Sequence, residues 1–475
     1  MTNAEHSSFP SVLDSQANTN GFKPVKIDWE AAAARKRDDR ANRLKPYAHW
    51  SLGNLIPPPS HKNVTSLVHA RLTDRERTFL ASDVTDLARR LAVKECTAVE
   101  VTTAFCKATY AAQELTNCVT EVMFNAALAR AQELDAHILD TGKVVGPLHG
   151  IPVSIKDHIY VKGEDTATGF VAWAGRTVAE EDAVIVQILR AAGAVIYVKT
   201  TNPQSLYALE TCSNIYGSTT NPYNRSLTSG GSSGGEGALI GSRASLLGVG
   251  TDIGGSIMPI GVVRLVRAET VESQTPRFRH CKAMSRHGKY CRGHRDLELF
   301  FRVVSGSEPW NIDFSALCMP WRTYGCSTLA QSWAMNVRRD QFRAKALKHW
   351  NETALRSKSG RPVDVVLCPV APTLAPPHGT TRWIGYTAYW NLLDLPAVVF
   401  PFGEPFDASN WDSATESSSG EPRNPIDEFV KAQWKPEAFD GAPIGLQLVG
   451  RRWQEEKLLA ALKHVEDAVA QFEKS

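Results

Sequence analysis

The chain is most constrained between Ser229 and Ser256, where it reads Ser-Gly-Gly-Ser-Ser-Gly-Gly-Glu-Gly-Ala-Leu-Ile-Gly-Ser-Arg-Ala-Ser-Leu-Leu-Gly-Val-Gly-Thr-Asp-Ile-Gly-Gly-Ser. Ten of the 26 residues from Gly230 to Gly255 are glycine, which by composition alone would describe a flexible linker. The apolar residues argue against a linker. Ala238-Leu239-Ile240 and Ser245-Leu246-Leu247-Gly248-Val249 have the texture of a buried helix segment and a buried strand, and linkers seldom carry core residues. Two short patterns inside the run can be read alone. Gly230-Gly231-Ser232-Ser233-Gly234 matches the G-x-S-x-G turn that presents a nucleophilic serine, but that turn needs a strand directly before it. Arg225-Ser226-Leu227-Thr228-Ser229 is a poor one. Gly248-Val249-Gly250 could open a dinucleotide loop, yet the next glycine falls one residue late, at Gly254, and no clear helix follows.

The flanking chain supplies an α/β framework. Ile151-Pro152-Val153-Ser154-Ile155 and Ala194-Val195-Ile196-Tyr197-Val198 are runs rich in β-branched residues, and Glu181 to Ala192 between them reads as a helix. Strand, helix and strand in close succession predict an α/β layer architecture. Val365-Val366-Leu367 and Ala397-Val398-Val399-Phe400 predict two more strands, Gln454 to Phe472 a closing amphipathic helix, and Asp407 to Pro425 a polar loop. Thr97-x-x-Glu100 is a capping box ahead of Val99, Val101 and Phe105, and Val122 to Ile138 keeps helical spacing. Residues 1–25 are Ser/Asn-rich and aperiodic and predict a tail. Asp28 to Arg43 predicts an exposed helix, with Arg35-Lys36-Arg37 on a solvated face because Asp38-Asp39 follow at once. The expected organisation is a tail and helical extension over 1–75, then one domain over 76–475.

Composition excludes several classes. With 43% hydrophobic and 22% charged residues, the chain is neither disordered nor collagen-like. Its 53 basic against 50 acidic residues give +3, which is no general nucleic-acid signature. Nine cysteines scattered without a C-x-x-C pair suit a reducing compartment better than a disulfide framework. The first twenty residues have no apolar signal core, and the most apolar stretch, Ala183 to Val198, is broken by Gln187 and Arg190 and falls short of a membrane span. A cytoplasmic protein is the expectation.

Long motifs in order carry a resemblance. Gly230 to Glu236 followed by Gly250-Thr251-Asp252-Ile253-Gly254-Gly255-Ser256-Ile257 is similar to the signature of the amidase signature family. Gly146-Pro147-Leu148-His149-Gly150-Ile151-Pro152-Val153-Ser154-Ile155-Lys156-Asp157 resembles that family's catalytic-lysine segment, and Gly441 to Gly450 its C-terminal motif. Lys199 to Ser205 and Cys368 to Thr373 are similar to further family segments, so the resemblance spans about 90–260 and 362–470. It implies an α/β/α sandwich around a mixed central sheet. It also implies amide hydrolysis to a carboxylate and ammonia or an amine, without metal or cofactor, on a small-molecule substrate.

The resemblance assigns Ser256 as the acyl-forming nucleophile, Ser232 as a bridging serine on a cis peptide, and Lys156 as the base. Ile253, Gly254, Gly255 and Ser256 would form the oxyanion hole, Leu206 would line the substrate site, and Ser233 and Asp252 would support the network. The chemistry is sound on its own terms. A serine is a weak nucleophile unless a base takes its proton, and a lysine can do so only when burial lowers its pKa from about 10.4 toward 7–8. Lys156 follows a run that reads as a buried strand, which offers such a site. The plain alternative is a surface lysine at a strand end, paired with Asp157. Leu206 reads equally well as ordinary core.

The resemblance lapses after Ser256. Family members continue with an arginine, small residues and a glycine-rich strand, whereas here Met258-Pro259-Ile260 leads into a basic stretch. From Arg264 to Arg295 there are nine Lys or Arg against Glu269 and Glu272. The favoured explanation is an out-of-frame or misspliced stretch, ahead of a divergent surface insertion and then a nucleic-acid patch. His280, Cys281, His287, Cys291 and His294 fit no standard zinc spacing. The interval from Trp321 to Asp364 also looks short for the family's substrate cleft. The functional expectation is an acetamidase-like general amidase of fungal type, with a catalytically impaired remnant as the alternative. A fatty-acid-amide hydrolase or an amidotransferase subunit remains open within the family. No nucleic acid or membrane partner is expected, and a homo-oligomer stays open.

Overall fold

The computed structural model describes residues 28–252, 254–256, 264–267, 286–291, 294–307, 329–412 and 421–472. Its strands are β1 (Val119–Val122), β2 (Pro152–Lys156), β3 (Val195–Thr200), β4 (Cys212–Ser213), β5 (Gly217–Ser218), β6 (Leu247–Asp252), β7 (Arg264–Arg267), β8 (Arg286–Cys291), β9 (Val366–Pro369), β10 (Ala397–Pro401) and β11 (Gly445–Val449). Apart from the small β4–β5 hairpin, these form one sheet in the order β1-β3-β2-β6-β8-β7-β10-β11-β9. β2 runs parallel to β3 and β6, and the remaining pairs are antiparallel. The sheet is therefore mixed, as the α/β expectation required. Its parallel centre is buried at every residue of β2, β3 and β6, as parallel strands covered on both faces are.

Helices cover the sheet. Ala98–Thr116 and Gly234–Gly241 pack on each other and on β2, while Val184–Ala191, His294–Gly306 and Glu455–Phe472 pack together and on β3, β8, β10 and β11. The capping box forms: Thr97 accepts from the Glu100 amide and Glu100 accepts from the Thr97 amide. The helix after it begins at Phe124 rather than Val122, because Val119–Val122 is recruited as an edge strand against β3.

The N-terminal helix, Trp29–Leu44, corrects the reading of a solvated basic face. Lys36 is buried, with its amine 2.6 Å from Glu121 and 3.2 Å from Asp165. Arg37 donates to the Ile215 carbonyl and Arg40 to the Val119 carbonyl, each at 2.7 Å. Local charge alternation suggested solvent, but the edge strand β1 offers the Glu121 carboxylate and the Val119 carbonyl, and loops beside it offer Asp165 and the Ile215 carbonyl, partners that only tertiary packing brings within reach.

The described pieces of the basic stretch, β7 and β8, lie inside the sheet. β8 pairs with β6, and β7 bridges β8 to β10. A surface insertion would lie outside the sheet, so that reading is replaced. Ile253, Ile257 and most of the stretch from Met258 to Cys281, like the tail of residues 1–25, fall outside the described residues. Among the described residues no helix is long and apolar enough to cross a membrane.

Candidate active site

Side chains alternate along a strand, so Ser154 and Lys156 share one face of β2. That face looks toward the Gly234–Gly241 helix, since Ser154 Oγ donates to Glu236 Oε2 at 2.6 Å. Lys156 is 0% exposed, and its amine donates to Ser232 Oγ at 2.7 Å and Thr251 Oγ1 at 3.1 Å. The surface alternative is excluded. Asp157 turns away, accepting from Thr120 Oγ1 at 2.9 Å and from the Thr168 amide at 2.8 Å. Burial pushes the Lys156 amine down from 10.5 to about 7, while the charges of Asp252 and Glu236 oppose the fall.

Ser232 precedes the helix in a turn whose Gly231–Ser232 peptide bond is cis. Close packing explains the glycines here. A side chain at Gly231 would collide with the backbone of Ala208 to Glu210, and one at Gly234 with Thr211 and Ser229. The turn is tied to the far strand by the Ser233 amide, which donates to the Ser256 carbonyl at 3.0 Å, and by Ser233 Oγ, which donates to the Thr251 carbonyl at 3.3 Å. Arg225 to Ser229 before it forms turns and isolated bridges, so the strand that a nucleophile elbow requires is missing. Gly248-Val249-Gly250 lies within β6, which removes the dinucleotide-loop reading.

The chain leaves β6 at Asp252 and turns through Gly254, Gly255 and Ser256. Asp252 Oδ1 accepts from the Gly255 amide at 2.8 Å. Gly255 has φ +126°, and a side chain there would strike Thr387, whose hydroxyl donates to the Gly254 carbonyl at 2.7 Å. Ser256 is half-buried, and no side-chain hydrogen bond from it occurs among the described residues. Gly255 and Thr387 open onto a cleft lined on its apolar side by Leu209, Val370, Trp383, Ile384, Tyr386 and Val430. The leucine on its wall is Leu209. Leu206, half-buried with φ +61°, is not among the lining residues.

Lys156, Ser232, Ser233, Asp252, Gly254, Gly255 and Ser256 are thus gathered around the carboxyl ends of β2 and β6, where ligands bind in open parallel sheets. Sequence reasoning missed Glu236, Thr251, Thr387, Ser154 and Thr200. A signal existed for three of them. Ser154 and Thr200 are hydroxyls within apolar strands, and Glu236 is an acid among Gly, Ala, Leu and Ile. Thr387 is over a hundred residues away and carried none. Among the described residues no cluster of metal-ligating side chains occurs.

A mixed sheet that brings a buried lysine against a serine turn, with a glycine-bounded serine beside a cleft, is the architecture of a hydrolase acting on amides. The Amidase family model matches residues 100–328 and 326–459, and the chain belongs to that family, the amidase signature enzymes. It is 33% identical to a putative amidase of Schizosaccharomyces pombe over 546 aligned positions, covering 92% of this chain and 99% of that protein. It is 31% identical to an acetamidase of Emericella nidulans, covering 92% and 97%. The fold matches a fatty acid amide hydrolase with a TM-score of 0.83 at 26% identity, covering 93% of this chain and 95% of that one. An alignment of 546 positions exceeds the 475 residues here, so the relative carries segments that this chain lacks. The two family matches meet at 326–328, within the 321–364 interval.

Proposed function

We propose that the chain hydrolyses a small carboxylic acid amide through an acyl-Ser256 intermediate, with Ser232 and Lys156 as the relay and general base. The carrying observation is the 2.7 Å contact between Ser232 Oγ and a wholly buried lysine amine held near a pKa of about 7. A neutral Lys156 takes the Ser232 proton as Ser232 takes that of Ser256. The Ser256 oxygen then attacks the amide carbonyl. When the C–N bond breaks, the relay returns the proton to the departing ammonia or amine. Water, deprotonated by the same relay, attacks the acyl ester and releases the carboxylate and free Ser256. Amides of the run from Ile253 to Ser256 supply hydrogen bonds to the oxyanion. The Gly255 amide is already engaged by Asp252, so the other amides of the run carry that role.

The acetamidase relatives and the apolar cleft support a small, apolar acyl group. The unpaired cysteines Cys96, Cys106, Cys118, Cys212 and Cys368 support a reducing compartment such as the cytoplasm.

A fluorophosphonate serine probe followed by mass spectrometry tests the reading, with Ser256→Ala, Lys156→Ala and denatured protein as controls. Labelling of Ser256 that Lys156→Ala abolishes is the expected result. A cooperatively folded wild type that stays unlabelled would replace this reading with that of a folded remnant whose residues survive without turnover.

A further inference from the structure

Beneath the Lys156–Ser232 contact sits a carboxyl group that the proposed reaction does not use. Glu236 lies in the first turn of the Gly234–Gly241 helix and is 0% exposed. An acid taken out of water must be neutral or well hydrogen-bonded. Its Oε2 accepts from Ser154 Oγ of β2 at 2.6 Å, and its Oε1 accepts from Thr200 Oγ1 of β3 at 2.7 Å. Ser154 Oγ also lies 3.0 Å from Ser245 Oγ, whose one hydroxyl proton is shared between Ser154 and the Leu247 carbonyl, likewise 3.0 Å away. Above β6 the carboxyl occupies space that only glycine leaves, because a side chain at Gly248 would run into Glu236 Oε2 and Ser154 Oγ. One side chain from the helix is therefore wedged over three adjacent parallel strands, β3, β2 and β6.

This placement couples position and charge. The helix that carries Glu236 begins at the turn holding Ser232 and Ser233, and Ser154 is two residues before Lys156 on the same face of β2. A clamp between Glu236 and Ser154 fixes the distance between the lysine and the serine. The groups acting on Glu236 are Lys156, the Cys118 thiol at the end of Ala98–Thr116, and the Tyr197 phenol of β3. Burial raises both the thiol and the phenol far above neutral pH, so neither carries charge there. Lys156 is the cation facing Glu236. On its side Lys156 faces two acids, Glu236 and Asp252, along with the hydroxyls of Ser232 and Thr251.

We propose that Glu236 is a positioning residue for the Lys156–Ser232 pair, its carboxylate clamping the Ser232 turn onto β2 and β3 while serving as a countercharge to Lys156. The proposal rests on the reading of Lys156 as the base. Two variants separate its parts. Glu236→Gln keeps size and removes charge, whereas Thr200→Val keeps the carboxyl and removes one hydrogen bond at nearly constant volume.

The first measurement is the rate of fluorophosphonate labelling of Ser256 against pH. Without the negative charge Lys156 gives up its proton more readily. The acid limb should therefore move down by about one pH unit in Glu236→Gln, and by a smaller step in the same direction in Thr200→Val. The plateau rate should fall roughly tenfold or more as the clamp loosens. A lowered plateau with an unmoved limb would mean a merely structural role and would overturn the proposal, as would profiles identical to wild type. The second measurement does not depend on catalysis. Thermal unfolding midpoints of Lys156→Met, Glu236→Gln and the double variant form a cycle in which interacting groups are non-additive. Additive midpoints would overturn the countercharge. An unlabelled wild type would sink the proposed function, and the cycle would still decide the role of Glu236.

Discussion

Replacing Lys156 by methionine removes a titrating group from a fully buried site while keeping most of its length, and the structure says how the effect depends on pH. In the folded protein burial lowers the amine from 10.5 to about 7. The unfolded chain holds its proton to the ordinary value. Between those values the unfolded state binds more protons than the folded state, so wild-type stability rises with pH across that window. At and below pH 7 the full cost of burying the charged amine is present; above it, the cost fades. The slope is at most about 1.4 kcal/mol per pH unit, so from pH 7.5 to 9 wild type should gain roughly 2 kcal/mol relative to Lys156→Met. Glu236 acts in the same direction. Burial already raises its carboxyl from 4.5 to about 7, and losing the Lys156 charge raises it further, so the variant loses stability as that carboxyl is forced to ionise. Urea titrations of both proteins at several pH values across that window measure the difference directly. Its slope is the diagnostic, because methionine also leaves the Ser232 hydroxyl without its 2.7 Å donor at every pH. A flat difference across the window would refute the buried, proton-poor lysine and the base role built on it.

Other perturbations read neighbouring parts of the molecule. Lys36→Met strips the cation from Glu121 and Asp165 and should cost roughly 3–5 kcal/mol, since one partner of a buried ion pair is left uncompensated. Burial raises Glu121 to about 7, and losing Lys36 raises it further. The loss should therefore be smaller at pH 6, where Glu121 can be neutral, than at pH 8; urea titrations at the two values that agree would count against the pairing. Gly255→Ala forces a side chain into Thr387 at φ +126° and displaces the turn that leads into Ser256. Labelling of Ser256 should drop about 100-fold, and labelling at the wild-type rate would show that the turn does not position the serine.

Much of the central framework was legible. The runs at 151–155 and 194–198 became β2 and β3, the Thr97–Glu100 box capped its helix, and the apolar segments within the glycine run became a buried helix and β6. These readings rest on short-range physics, namely period, propensity and caps. They failed where a distant element decided the environment. Val122 left a helical pattern to pair with β3, and Lys36 left solvent for Glu121. Thr387 could not be found at all, because its role exists only where a helix near residue 390 meets the turn at Gly254.

By itself the sequence determined which groups are present and the local shapes open to them: glycines that permit tight approach, a lysine closing an apolar strand, and serines at the start of a helix. The parallel pairing of β2 with β3 and β6 decided what those groups are. It buried the Lys156 amine, wedged Glu236 against Ser154 and Thr200, and put Ser232 Oγ within 2.7 Å of the lysine. An amine's proton affinity depends on the dielectric and charges around it, and residues distant along the chain set both.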